Sequence, residues 1–242
     1  MIKSLGQEPW VELDSIKELQ NWTTENLIQW NQNNRVSEKY RCYINTFDFL
    51  ASNQVQGDYL EFGCHRARTF RMALTEAKRQ GLDKMRFLAF DSFRGLPSVD
   101  TISGVSQWGA GNLMTSEKQF MDLINNHGIY LDAIQIYPGY FKDSLNDKLK
   151  TKLMNQKIQA SFICVDCDLY ESAIPVFNFL EGFLQEGTIL YLDDVFAGYK
   201  GSPIKGVKRA FNEFLLKSKY KFEKILSVAW FGEAYVAYTE GV

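Results

Sequence analysis

The 242 residues carry 27 basic and 29 acidic side chains, a net charge of −2, and 45% of them are apolar. That is ordinary globular composition, long enough to bury a sizeable core in one full domain plus an appendage. The charge balance speaks against a nucleic-acid surface, no apolar run approaches the roughly 20 residues of a membrane span, and four cysteines make no disulfide framework, so a cytoplasmic setting is expected.

In chain order, residues 1 to about 55 read as helical, with capping residues at Asp14-Ser15. Tyr40, Tyr43, Ile44, Phe47 and Leu50 recur there at three- and four-residue steps, and Trp10, Trp22 and Trp30 add apolar surface. This segment is expected to be a helical cover, packed on the main domain or shared with a second subunit; residues 56–242 form the main domain. Tyr59 to Gly63 reads as a first buried strand. A helical stripe through Phe70, Ala73, Leu74 and Ala77 follows, with Gly81 at its expected end. Met85 to Phe90 is a second strand running into Asp91. The segment from Pro97 to Met114, with Trp108-Gly109-Ala110-Gly111-Asn112, reads as a mobile flap. Ser116-Glu117-Lys118-Gln119 is a capping box opening a helix that ends near His127 and Gly128. Strands are expected at Ala133–Tyr137, Ala160–Val165 and Thr188–Leu192. Helices are expected at Ser172–Leu184, closed by Gly187, and at Ile204–Leu216. Phe222–Val228 and Ala234–Tyr238 are placed to pair antiparallel. Alternating strands and helices predict a doubly wound α/β fold with a mostly parallel sheet.

Ligands of such sheets sit beyond the carboxyl ends of the strands. Those ends carry Glu61-Phe62-Gly63, Asp91-Ser92, Asp166-Cys167-Asp168 and Asp193-Asp194. Several carboxylates brought together need a cation or shifted pKa values. On an extended strand Asp166 and Asp168 face one side, and Asp193 falls at the same height on a neighbouring strand. With no nearby His or Cys ligand pair, hard oxygen donors point to Mg²⁺ or Ca²⁺. Asp91 stands where such folds hold a ribose, and His65 follows the glycine turn, where with Phe62 and Ser92 it would line a cofactor pocket. Cys164 and Cys167, three apart on a strand, face opposite sides and read as core residues.

These segments, together with Phe90-Asp91-Ser92-Phe93-Arg94-Gly95-Leu96-Pro97, Pro138-Gly139-Tyr140-Phe141-Lys142-Asp143-Ser144-Leu145 and Asp166-Cys167-Asp168-Leu169-Tyr170-Glu171-Ser172, resemble the macrocin O-methyltransferase family from about Gly57 to Phe214. The closing pair of strands likewise resembles class I methyltransferases. The resemblance implies a seven-stranded Rossmann-like sheet and S-adenosylmethionine- and Mg²⁺-dependent methylation of hydroxyls on sugars or sugar-bearing natural products. It implies Asp166, Asp193 and Asp194 as metal ligands and Asp168 as general base. Glu61, Gly63 and Thr69 would hold the methionine part of the cofactor and Asp91 its ribose, while Phe141, Asp143 and Ser144 would border the adenine. The partners expected are a small-molecule acceptor and a second copy of the chain, with neither nucleic acid nor membrane. Where the family continues Arg-Gly-Gly-Ser, this chain has Arg66-Ala67-Arg68-Thr69, and losing both glycines restricts positive φ. That departure motivates an alternative reading as a non-catalytic scaffold of the same fold, which the intact aspartate set opposes. A nicotinamide oxidoreductase is disfavoured by the missing G-x-G-x-x-G.

Overall fold

Seven strands, β1 (Asp58–Phe62), β2 (Phe87–Asp91), β3 (Ile134–Pro138), β4 (Ala160–Val165), β5 (Ile189–Leu192), β6 (Lys221–Val228) and β7 (Gly232–Tyr238), form one sheet in the order β3-β2-β1-β4-β5-β7-β6. The computed structural model describes residues 16–98 and 109–240. β1 to β5 are parallel, β7 runs antiparallel to β5, and β6 pairs antiparallel with β7 as expected. The chain winds outward from β1 to β3, then returns to the other side of β1 at β4. Such a reversal opens a crevice at the carboxyl ends of β1 and β4.

β1 and β4 are buried along their whole length, as strands covered on both faces are; β4 reads as a nearly apolar run, whereas β1 also carries Asp58 and Glu61, both hydrogen-bonded. Alternation sorts their side chains between two cores. Leu60, Phe62, Ile163 and Val165 pack with α7 (Tyr170–Leu180) and α8 (Gly206–Leu215). Tyr59, Phe162 and Cys164 pack with Tyr43 and Phe47 of α2 (Thr24–Ser52), with Phe70 of α3 (Arg68–Arg79), and with Phe120 of α4 (Glu117–His127). Cys164 and Cys167 fall in opposite cores, both thiols free and buried.

Two units divide between Glu38 and Lys39. The first holds α1 (Ile16–Leu19) and the start of α2, where Thr23 and Asn26 exchange hydrogen bonds that satisfy the first free amides and Trp22 meets Trp30 edge-on. The rest of α2 belongs to the second unit. Trp10 and the capping pair Asp14-Ser15 lie outside the described residues.

The capping box at Ser116 and Gln119 forms, α4 ends on His127, and Gly128 caps it at φ 73°. Gly81, at φ 69°, follows the end of α3. α5 (Phe141–Ser144) and α6 (Asp147–Asn155) have no counterpart in the sequence reading; both are short, and α6 is announced only by its Asn146 cap. α7 stops at Leu180, four residues before the expected Leu184. Gly187 does not close it, because its N–H is spent on Ala237 of β7 at 2.9 Å. Among the described residues no helix is long and apolar enough to cross a membrane.

Candidate active site

Val165 and Leu192 are the last paired residues of β4 and β5, so the next residues, Asp166 and Asp193, leave the sheet side by side. Asp166 N–H donates to Phe62 O and Asp193 N–H to Val165 O, each at 2.9 Å. With Asp194 they bring three carboxylate oxygens within 4.8 Å of one another. The expected route for Asp168 does not hold: β4 ends at Val165, and Asp168 lies in a left-handed turn at φ 59°, a conformation aspartate tolerates better than most residues. Asp194 adopts the same region at φ 54°. The turns, rather than strand alternation, bring the Asp168 carboxyl beside that of Asp194.

One residue here escaped the sequence reading. Lys39 of α2 places Nζ 3.0 Å from Asp166 Oδ2 and 2.5 Å from Asp193 Oδ2. Burial pulls its pKa down, but Asp166, Asp193 and Asp194 outweigh it and hold the ammonium well above its ordinary value. Burial raises Asp193 too, yet Lys39 and the Tyr191 hydroxyl, donating at 2.5 Å, leave it below the usual carboxylate range. Asp166 and Asp194 are pushed well up, by burial and by the negative Asp193. Asp168 is pushed up to about 7 by burial and by Asp166. A hard, compact, negatively charged oxygen set fits a divalent cation such as Mg²⁺.

The cofactor candidates gather on the other side of the crevice. Gly63 turns at φ 93°, and a Cβ there would stand 1.8 Å from Asp166 O; only glycine lets β1 and β4 approach so closely. Glu61 is fully buried. It accepts from Thr69 Oγ1 at 2.9 Å and from Tyr59 OH, which in turn pairs with Tyr43 OH at 2.9 Å. Burial raises Glu61 to about 7 against these donors. Asp91 Oδ2 accepts from Cys64 N–H at 2.7 Å and Oδ1 from Phe93 N–H at 2.6 Å, so the carboxylate fastens two loops and keeps one lone pair on each oxygen. Ser92 Oγ donates to Gly95 O and accepts from Arg94 N–H, shaping its own turn. Gly139 N–H donates to Asp91 O at 2.9 Å, seating α5 beside β2. There the Phe141 ring meets Phe62 at 6.0 Å, Ser144 Oγ donates to Gly139 O, and Asp143 is exposed.

The glycine-poor turn takes positive φ without glycine. Arg66 and Ala67 take φ 56° and 48°, while Arg68 at φ −72° already belongs to α3. Arg66 N–H donates to Thr115 Oγ1 at 3.0 Å, and Ala67 N–H to Cys64 O at 2.9 Å. Thr115 also pairs with His65 Nδ1 at 3.0 Å, a role no local pattern announced. Of the expected flap, residues 99–108 lie outside the described residues. Its ends are tied: Leu96 N–H donates to Asn112 O and Gly111 N–H to Leu96 O.

The strand order, the antiparallel β7 and the acidic crevice rim define a class I methyltransferase. The chain belongs to the macrocin-O-methyltransferase (TylF) family, whose profile matches residues 37–235, and it is an S-adenosylmethionine-dependent O-methyltransferase. Solved structures with this fold include the O-methyltransferase NovP (20% identity, 82% of this chain and 79% of that one, TM-score 0.67). The calicheamicin methyltransferase CalS11 also matches (15%, 93% and 94%, TM-score 0.63). So does an O-methyltransferase from Bacillus cereus in complex with SAH (14%, 91% and 94%, TM-score 0.52). No curated protein sequence matches the chain significantly.

Proposed function

We propose that this protein transfers the methyl group of S-adenosylmethionine to a hydroxyl of a sugar or sugar-bearing natural product, with Mg²⁺ at Asp166, Asp193 and Asp194. The observation that carries this reading is the three-carboxylate cluster within 4.8 Å, joined through the Asp166–Phe62 hydrogen bond to the Gly63 turn. The acceptor class is supported by family membership and by CalS11, described as a TDP-rhamnose 3'-O-methyltransferase.

The cofactor supplies a methyl group on a positively charged sulfur. A divalent cation held by the three aspartates supplies Lewis acidity that lowers the pKa of the acceptor hydroxyl. Asp168, raised by its surroundings to about 7, takes the hydroxyl proton as the oxygen forms its bond to the methyl carbon. On transfer the bonding pair would remain with the departing sulfur as a neutral thioether, the charge balancing once Asp168 holds the proton. Gly63 leaves room for the methionine part, with Glu61 and Thr69 fixing the turn. The remaining lone pairs of Asp91 would receive the ribose hydroxyls, and His65, Ser92, Phe141, Asp143 and Ser144 would border the nucleoside, with the fully buried Phe62 backing Phe141.

In this reading residues 56–242 carry the methyl-transfer domain, and residues 1–55 are the helical segment serving it. A homodimer is part of the proposal, supported by exposed Leu27, Ile28 and Trp30 on α2. A cytoplasmic location is supported by four buried free thiols. The test is transfer of labelled methyl to a panel of nucleotide sugars and glycosylated natural products. Methylated product with Mg²⁺, lost in EDTA and restored by Mg²⁺, is the expected result. Full activity in rigorously metal-free protein would sink the metal assignment.

A further inference from the structure

Lys39 precedes Asp166 by 127 residues, yet its ammonium lies between Asp166 and Asp193, at 3.0 and 2.5 Å. Those are two of the three carboxylates gathered within 4.8 Å. Mg²⁺ binds carboxylate oxygens at about 2.0–2.1 Å, so an ion held by the same oxygens would need the space Nζ now fills. Two cations at that separation repel. Three carboxylates crowded together without any cation repel as well, and an ammonium lying between two of them relieves this.

The side chain of Lys39 is 17% exposed and carries its ammonium on a flexible four-carbon stem. Its helix does not share that freedom: Tyr43, Phe47 and Leu50, the next turns of α2, are completely buried.

We propose that Lys39 is the built-in counter-ion of the carboxylate site, holding Asp166 and Asp193 together in the metal-free enzyme and withdrawing when a divalent cation binds. Lys39 thereby sets the metal affinity. The inference rests on the reading of Asp166, Asp193 and Asp194 as cation ligands, and its test separates the two.

The experiment is direct titration of the full-length protein with Mn²⁺, following free Mn²⁺ by electron paramagnetic resonance, without cofactor or acceptor. Wild type, Lys39→Met, Lys39→Arg and Asp193→Asn are compared, with Lys39→Gln taking the place of Lys39→Met should the latter fail to fold. Removing the competing charge is expected to tighten Mn²⁺ binding by about tenfold or more. Lys39→Arg, which keeps the charge, should stay near wild type. In EDTA the Lys39→Met protein should melt below wild type and recover on adding Mn²⁺. Equal or weaker Mn²⁺ binding by Lys39→Met, with Asp193→Asn weaker still, overturns the counter-ion role and leaves the metal site standing. No binding by either wild type or Lys39→Met at millimolar Mn²⁺ overturns both.

Discussion

Replacing Gly63 by alanine tests how closely the cofactor turn and the aspartate site are built on one another. The new Cβ would stand 1.8 Å from Asp166 O and 2.8 Å from Asp166 C, where real contacts essentially never fall under 3.0 Å, so more than an ångström of separation is required. Neither neighbour is free to yield: Gly63 N–H donates to Phe90 O and Asp166 N–H to Phe62 O, both at 2.9 Å. A left-handed backbone costs a residue bearing a Cβ about 1–2 kcal/mol, and overpacking in a tight interior adds roughly 1–3 kcal/mol. A strained or lost hydrogen bond adds about 1 kcal/mol more. The expected loss is about 3–6 kcal/mol, a large share of the 5–15 kcal/mol that holds typical domains together. Gly81 is the control. It also has a positive φ, 69°, but nothing lies within 4 Å of the position its Cβ would take, so Gly81→Ala should lose only about 1 kcal/mol. Urea unfolding of both variants beside wild type gives the two values. A Gly63→Ala loss within about 1 kcal/mol of Gly81→Ala would refute the claim that backbone contact with Asp166 demands glycine.

Asp193→Asn and Asp166→Asn should abolish turnover while leaving cofactor affinity, measured by titration calorimetry, within about tenfold (1.4 kcal/mol) of wild type; a larger fall would mean these groups serve the cofactor. Asp168→Asn should lower single-turnover methyl transfer by roughly 10²–10⁴-fold without moving the Mg²⁺ midpoint, and a shifted midpoint with an intact plateau would make Asp168 a ligand instead. Glu61, fully buried and raised from 4.5 to about 7, binds its proton more tightly folded than unfolded. Its contribution to stability is therefore largest below about 4.5 and is lost as pH rises toward 7, by roughly 3 kcal/mol. The difference in unfolding free energy between wild type and Glu61→Gln, measured across that range, should show this slope, and a flat difference would contradict the raised value. Burial pushes the thiols of Cys42, Cys64, Cys164 and Cys167 up, Cys42 to about 12, so the folded protein should leave Ellman's reagent unreacted until denaturant exposes four thiols; prompt reaction of a native thiol would argue against that burial.

Local chemistry is what the chain states openly. Strands covered on both faces are mostly apolar, so β2, β4 and β5 stand out as runs that end at carboxylates of the crevice rim, while β1 carries Asp58 and Glu61 within it. The capping box at Ser116 and the glycine after His127 bound α4 because they satisfy the free amides and carbonyls at its ends. The family likeness adds roles to those same local motifs, and they lie where parallel strands deliver them. Tertiary structure decided what depends on contacts across the chain. Lys39 sits on a helix with nothing in its neighbours to mark it, and only packing of α2 against the sheet carries it over 127 positions to Asp166. Asp168 reaches Asp194 through left-handed turns that strand alternation does not foresee. Of the two positions where the family has glycine, Ala67 takes positive φ and Arg68 does not; the amides of Arg66 and Ala67 are held by Thr115 and Cys64, which offsets the backbone strain. Gly187 is drawn away from α7 by a hydrogen bond to β7. Periodicity and capping are energies between residues a few positions apart, and they can be read from order alone. Charge pairing and backbone approach between distant segments exist only once the chain is folded.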